Sequence, residues 1–271
     1  MKNTQTITLS SSEQDLPNRL QKAIASRSLE FHYQPEIDIQ SGIIVGLEVL
    51  SRWTDDVLGN VNPDEFIRCA SSMEWLEELT SQQIEVIFQD LPVIDDHFKN
   101  LAVGFNLTPK LVTSKKLFDQ LAQLMETRPK GASSIEIELT ETAPNISEAE
   151  LIKGIHRLRE LGFRIAMDDF GSGYSSLNRF CKLHFDRIKL DSEVTRQVGS
   201  LKGNAAIKML VQMAKELNIP FTVEGVETAE QLYLLQDLGC SRFQGWYFSK
   251  ALPLEEILQL SKDPLKTVLR K

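Results

Sequence analysis

The strongest constraint in this sequence is a recurring unit: a short apolar strand, a polar residue at its C-terminal end, then an amphipathic helix. In chain order the strand segments are LEFHYQPEID, IIVGLEVLSRW, LAVGFNLTP, SIEIELTET, FRIAMDDFG, FDRIKLD, IPFTVEGVE and CSRFQGWYFS. Several are nearly continuous apolar runs, as parallel strands covered on both faces are. The helices carry their own punctuation. Ser147 and Glu150 form a capping-box pattern before the stripe Leu151, Ile155, Leu158, with Gly162 as the stop. Thr228 and Gln231 repeat it before Leu232 and Leu235, with Gly239 as the stop. Pro63 marks a helix start, and Ile84, Ile87, Phe88 and Leu91 share one helical face. This alternation predicts an α/β domain with parallel strands. Eight strands in one domain predict a (β/α)8 TIM-like barrel rather than an open sheet. The first two strands are joined only by IQSG, too short for a helical crossover, so the first strand is expected to run antiparallel.

Composition narrows the function classes. A net charge of -8 argues against a sequence-independent surface for duplex nucleic acid, which needs a basic face. No apolar run of about 18 residues exists, so no membrane segment is expected. The opening MKNTQTITLSSSEQD lacks the apolar core of a secretory signal. Residues 1–15 read as a flexible tail, 16–262 as the folded domain and 263–271 as a C-terminal tail. The widely spaced Cys69, Cys181 and Cys240 suggest a reducing, cytoplasmic setting and read as small buried hydrophobes.

In a parallel barrel the C-terminal strand ends meet on one rim, where barrel active sites lie. Here those ends carry Glu48, Asn106, Glu138 with Glu141, Asp168 with Asp169, Lys189 with Asp191, Glu224 with Glu227, and Gln244. Without cations such a cup repels itself; with divalent ions it becomes a binding site. All-oxygen donors favour Mg²⁺ or Mn²⁺. Zinc fits less well, because His32, His97, His156 and His184 show no paired ligand spacing. Two adjacent aspartates on one turn suit a pair of ions roughly 3.5–4 Å apart.

Each residue also has a plainer reading. A single acid at a strand end is commonly a helix cap or a solvated loop residue, and Glu141 and Glu227 fit that role. Lys189 pairs equally well with Asp191 or Asp186, and the glycines of GSGYSS serve as turn formers. Trp53, Trp75 and Trp246 offer faces on which a base could stack, or are packing residues; Met209 and Met213 read as core; RLRELGFR reads as a solvated helix end. Agreement across the strand ends, rather than any single residue, carries the metal reading.

The segments LEVLSRW, FNLTP, IELTET, MDDFGSGYSSL, FDRIKLD, VEGVETAEQL and LGCSRFQGWYFS, in this order, resemble the EAL-domain cyclic di-GMP phosphodiesterases of bacteria. The resemblance spans Leu16 to Leu260. It implies a barrel with an antiparallel first strand and hydrolysis of cyclic di-GMP to linear 5′-pGpG with two Mg²⁺ or Mn²⁺ ions per site. It also implies roles. Glu48, Asn106, Glu138 and Asp168 would bind the first ion, with Asp168 bridging to a second held by Asp169 and Glu224. Lys189 would orient and activate water, with Glu224 as base or ligand. Arg52 would hold a phosphate, Gln244 would organise water and metal, Gln34 would line the substrate groove, and Glu141 and Glu227 would support the loop and site. Departures are mild: Val49 replaces alanine in the naming triplet, Thr108 and Ser172 exchange one hydroxyl residue for another, and His184 stands where proline is common.

Two other readings compete with an active phosphodiesterase. One is a cyclic di-GMP receptor or interaction module without turnover; the other is a metal-dependent barrel hydrolase or lyase for another substrate. Family analogy suggests a homodimer through helices near the DDFGSGYSS loop. The short N-terminal tail leaves regulation to ligand level, expression, dimerisation or a separate regulatory protein.

Overall fold

Strands that are apolar on both faces stay soluble only when lined up beside one another under a coat of helices. The computed structural model describes residues 15–98, 101–128, 134–139, 146–171 and 176–260. The two expected tails, except for Asp15, fall outside them, as do Glu141 and Ser172. The chain forms two compact units, Met1–Phe31 with Ser51–Val86, and His32–Leu50 with Ile87–Lys271.

The second unit carries the barrel. Its strands are β1 (Glu30–Asp38, from His32), β2 (Ile43–Asp55, up to Leu50), β4 (Ala102–Asn106), β5 (Ser134–Leu139), β6 (Arg164–Phe170), β7 (Arg187–Leu190), β8 (Phe221–Val223) and β9 (Arg242–Phe243). From β2 through β9 each strand pairs in parallel with the next of these. β1 pairs antiparallel with β9 and closes the ring by pairing with β2. The expected barrel and its reversed first strand are therefore present. The two capping boxes exist as read, Ser147 with Glu150 opening α6 (Glu148–Glu160) and Thr228 with Gln231 opening α10 (Ala229–Asp237).

The first unit was less legible. It holds α1 (Leu16–Ser26), α2 (Pro63–Ser72), the start of α3 (Leu76–His97) and an unanticipated short strand, β3 (Gly59–Val61), which pairs with the end of β2 at Trp53, Thr54 and Asp55. Its core gathers Leu20, Ile24, Trp53, Phe66, Ala70 and Leu79, with Trp53 and Phe66 edge to face at 6.0 Å. Among the described residues no helix is long and apolar enough to cross a membrane.

Three expectations need correction. Met209 is 63% exposed, because the inward stripe of α9 (Leu201–Glu216) is Ile207, Leu210, Val211 and Ala214, and Met209 lies off that phase. RLRELGFR is not simply solvated. Leu158 and Phe163 are buried, and Arg159 holds Asp186 at 2.6 Å. Of the cysteines only Cys240 is buried; Cys69 is half-buried and Cys181 exposed. Burial pushes the Cys240 thiol up to about 12 and raises that of Cys69 as well. A thiol reagent at pH 8 is therefore expected to label one site rapidly, at Cys181, and three after denaturation. A Cys181→Ser variant should lose the fast phase, and a fast phase that persisted would contradict this placement.

Candidate active site

Successive strand residues point to opposite faces, so residues two apart share the barrel interior. This places polar residues in two layers: Glu36, Glu136, Arg187 and Thr222 in one, and Gln34, Glu48, Asn106, Glu138, Lys189 and Glu224 in the other, toward the strands' C-terminal ends. In the deeper layer the buried Arg187 pairs with Glu36 and Glu136, and Thr222 donates to Glu36 at 3.1 Å. Sequence reasoning missed this layer, although Glu136-Ile-Glu138 and Arg187-Ile-Lys189 spell it out as two acids and two bases at strand period.

The upper layer is built around Lys189, which is fully buried. Its ammonium donates to Glu138 Oε2 at 2.5 Å and Glu48 Oε2 at 3.1 Å. It also lies 2.7 Å from Glu224 Oε1 and 3.7 Å from Asp168 Oδ1. Lys189 therefore does not pair with Asp186 or Asp191 as the plainer reading had it: Asp186 holds Arg159, and Asp191 caps α8 (Ser192–Thr195). Glu48 is the hub on the other side. Its Oε1 accepts from Asn106 Nδ2 at 2.8 Å and its Oε2 from Gln244 Nε2 at 2.6 Å. Gln244 also donates to Gln34 Oε1 at 3.3 Å, and Gln34 donates to the Ser249 carbonyl at 3.2 Å.

Adjacent aspartates on a regular strand would face opposite ways. Here the pairing of β6 with β7 shifts register between Met167 and Phe170, and Asp169 takes a left-handed backbone with φ of 53°. That irregularity brings both acids to one side. Asp168, Asp169 and Glu224 each place a carboxylate oxygen within 4.8 Å of the others.

The electrostatics are those of a cup with one cation and an excess of carboxylates. Burial raises Glu138, Asp168 and Glu224 against the pull of Lys189, and the negative neighbours, Glu48 among them, raise them further. Burial beside Asp168 and Asp191 pushes Asp169 up to about 7. Glu48 alone is lowered: burial would raise it, but Lys189 and the hydrogen bonds from Gln244, Lys189 and Asn106 outweigh that. Burial would lower Lys189, but its four carboxylate neighbours hold it well above its ordinary value. Glu138 Oε1 and Asp168 Oδ1 are buried without a hydrogen-bond partner. Buried carboxylate oxygens that accept no hydrogen bond, one of them within a three-acid cluster, fit a divalent cation with oxygen ligands.

Room for Glu138 depends on Gly104, where a Cβ would lie 2.1 Å from Glu138 Oε1. Gly104→Ala is expected to lower stability by about 1–3 kcal/mol through overpacking. It should also weaken Mn²⁺ binding by displacing Glu138. Urea unfolding and calorimetric titration read the two effects, and unchanged values in both would contradict the close approach.

Of the remaining candidates, Glu141 lies outside the described residues. Arg52 belongs to the first unit, where its Nη1 donates to the Ser51 carbonyl at 2.8 Å. Glu227 is exposed at the entry to α10, its backbone N–H held by Gln231 Oε1 at 2.9 Å.

With this geometry in place, comparison with known proteins gives the family. The EAL domain model matches residues 17–251, so the chain belongs to the EAL-domain family. It is 31% identical to the cyclic di-GMP phosphodiesterase RocR of Pseudomonas aeruginosa over 90% of this chain and 66% of that protein. It is 34% identical to the probable cyclic di-GMP phosphodiesterase PdeB of Escherichia coli over 92% of this chain and 47% of that one. The chain thus spans less than two thirds of these relatives' length. Among solved structures, the PaMucR phosphodiesterase in complex with c-di-GMP superposes with a TM-score of 0.80 at 25% identity, covering 90% of this chain and 99% of that one. The EAL enzyme Bd1971, bound to cAMP and cyclic di-GMP, gives 0.83 at 26% identity, covering 92% and 69%.

Proposed function

We propose that this domain hydrolyses cyclic di-GMP to linear 5′-pGpG and so lowers the level of that second messenger. The observation that carries the reading is Lys189 buried among Glu48, Glu138, Asp168 and Glu224, with one oxygen on each of Glu138 and Asp168 that accepts no hydrogen bond. The names of the relatives supply the substrate. In the reaction water adds to one phosphorus, the bond to the 3′ oxygen breaks, and that oxygen leaves as a hydroxyl while the other phosphodiester stays intact.

Glu48, Asn106, Glu138 and Asp168 would hold one divalent cation, and Asp168, Asp169 and Glu224 a second; Mg²⁺ or Mn²⁺ suits this oxygen donor set. The chemistry a bound pair of such ions supplies is Lewis-acid stabilisation of phosphoryl charge and a lower pKa for water. Lys189 would orient the attacking water and stabilise negative charge on it. Gln244 and Asn106 fix the rotamer of Glu48 through their hydrogen bonds. Arg52 would hold a substrate phosphate, Gln34 would line the groove, and Glu141 and Glu227 would support the loop and the strand-end residues. With this reading go a cytoplasmic location, which the three free cysteines support, and a homodimer, which family resemblance supports, with regulation through ligand level, expression, dimerisation or a separate regulatory protein.

The test incubates the protein with cyclic di-GMP and Mg²⁺ or Mn²⁺ and resolves products by chromatography. Release of pGpG that stops on chelation is expected. Tight retention of cyclic di-GMP without product would replace the enzyme by a receptor, and equal turnover of unrelated cyclic nucleotides would point to another hydrolase.

A further inference from the structure

The deeper layer of the barrel holds three charged side chains that the proposed reaction does not use. Glu36, Glu136 and Arg187, with Thr222 beside them, are each no more than 2% exposed, so none is open to solvent. Apolar residues of similar volume would fill such a layer without the cost of stripping water from three charges. Stability alone therefore does not account for them.

Their pairing suggests what they do. Arg187 lies on β7, Glu136 on β5 and Glu36 on β1, and no two of these strands are neighbours in the sheet. The links cross the barrel interior. Arg187 Nε donates to Glu136 Oε1 at 2.6 Å, and Arg187 Nη1 pairs with Glu36 Oε2. Thr222 Oγ1 of β8 donates to that same Glu36 oxygen at 3.1 Å. Each charged residue stands two positions from a member of the upper layer on its own strand: Glu36 from Gln34, Glu136 from Glu138, Arg187 from Lys189. Two positions share a face and lie about 6.6 Å apart along a strand. The Arg187–Glu136 pair thus repeats, one layer down and on the same two strands, the Lys189–Glu138 pair at 2.5 Å. On β2, Gly46 leaves the room: a Cβ there would lie 3.0 Å from Glu36 Cδ and 3.3 Å from Arg187 Nη1.

A guanidinium is planar and carries its donors in a fixed fork, so it sets the angle as well as the distance between two carboxylates. The ammonium of Lys189 has no such fork. The two layers also feel each other's charge. Burial leads in raising Glu138, and Glu36 is among the anions that add to it. Burial would lower Arg187, but Glu36, Glu136 and, from the upper layer, Glu138 raise it instead. We infer that Arg187 is a positioning residue of the active site: bound to Glu136 and Glu36, it fixes the spacing of β5, β7 and β1 so that Glu138 and Lys189 meet. This rests on the proposed function. Arg187 acts through the backbone of the strands that carry Glu138 and Lys189, not by contact with substrate.

The test compares wild type with two variants. Arg187→Lys keeps the charge and loses the fork. The combined variant Glu36→Leu, Glu136→Leu, Arg187→Met makes the layer apolar and leaves no charge unpaired, so in chelator it should unfold at nearly the wild-type urea concentration. In both, calorimetric titration with Mn²⁺ should show Kd rising about tenfold, and kcat for pGpG release should fall about tenfold with KM unchanged. A layer that only holds the barrel together would lower the urea midpoint and leave kcat and the Mn²⁺ Kd alone. Either variant, folded and with wild-type kcat and Mn²⁺ Kd, would overturn the positioning role, as would a loss confined to KM. Should the apolar layer fail to fold, Arg187→Lys decides by the same criteria. A wild type that binds Mn²⁺ and releases no pGpG would overturn the proposed function instead, and the Mn²⁺ Kd of the variants would then judge the placement of Glu138 by itself.

Discussion

Glu48→Ala is expected to reduce pGpG release by about 10³-fold or more, while the metal-free protein unfolds at nearly the wild-type urea concentration. The first half follows from position. Glu48 accepts from Asn106, Gln244 and Lys189 at once, so its removal takes away a proposed cation ligand and the group that aligns three neighbours. Losing several kcal/mol of charge stabilisation in the transition state corresponds to that factor. The second half follows from charge balance. Without Glu48, Asn106 and Gln244 lose an acceptor, which destabilises. The deletion also removes an anion that raises the carboxyls of Glu138, Asp168 and Glu224, which relieves repulsion. The two effects oppose, as at many sites where function works against stability. Product chromatography and urea unfolding in chelator read the two halves. Metal-dependent turnover within tenfold of wild type would remove Glu48 from the site.

Much of this arrangement was written in the sequence, and what was hidden was hidden for identifiable reasons. Strand ends announce themselves because an apolar run stops at a polar residue, which is how Glu48, Asn106, Glu138, Asp168, Lys189, Glu224 and Gln244 could be gathered onto one rim. The capping boxes of α6 and α10 were legible because both partners lie within four residues. The register shift at Asp168 and Asp169 was not, since it appears only in the pairing of β6 with β7. β3 was missed because Gly-Asn-Val carries no apolar run. Met209 was misplaced by reading chemistry ahead of phase: Ile207, Leu210, Val211 and Ala214 already define the stripe. The deeper layer of Glu36, Glu136 and Arg187 went unread because buried charges in a barrel run against apolar expectation, although their period-two spacing to Gln34, Glu138 and Lys189 is plain.

Lys189→Met is expected to destabilise the metal-free protein strongly and to make its stability depend on divalent cations far more than in wild type. Methionine keeps most of the volume, so the change is chiefly one of charge. Lys189 is the cation facing Glu48, Glu138, Asp168 and Glu224, all within 3.7 Å or less of its ammonium. Breaking a buried pair from one side leaves uncompensated charge and costs roughly 3–5 kcal/mol. Because its carboxylate neighbours hold the Lys189 pKa well above 10.5, wild type has this contribution in full below that pH and loses it only as pH rises through the higher folded value. Between pH 6 and 9 the difference between the proteins therefore does not arise from lysine titration. The carboxylates behave in the opposite sense. Glu138 and Glu224 are already raised in wild type, so the variant should recover stability as acidification protonates them. Mn²⁺ should do the same at neutral pH: an ion at 100 times its Kd adds about 2.7 kcal/mol to any protein that binds it only when folded. Without the competing ammonium, the variant should bind the ion more tightly and show the larger shift. Turnover should nonetheless stay low, because an ion replaces the charge of Lys189 and not its proposed role of orienting the attacking water. Thermal unfolding in chelator and in Mn²⁺, followed by the pGpG assay on the rescued protein, separates the two roles. A variant as stable as wild type in chelator would show that the carboxylates are not held together by this lysine, and full turnover in Mn²⁺ would remove it from the reaction.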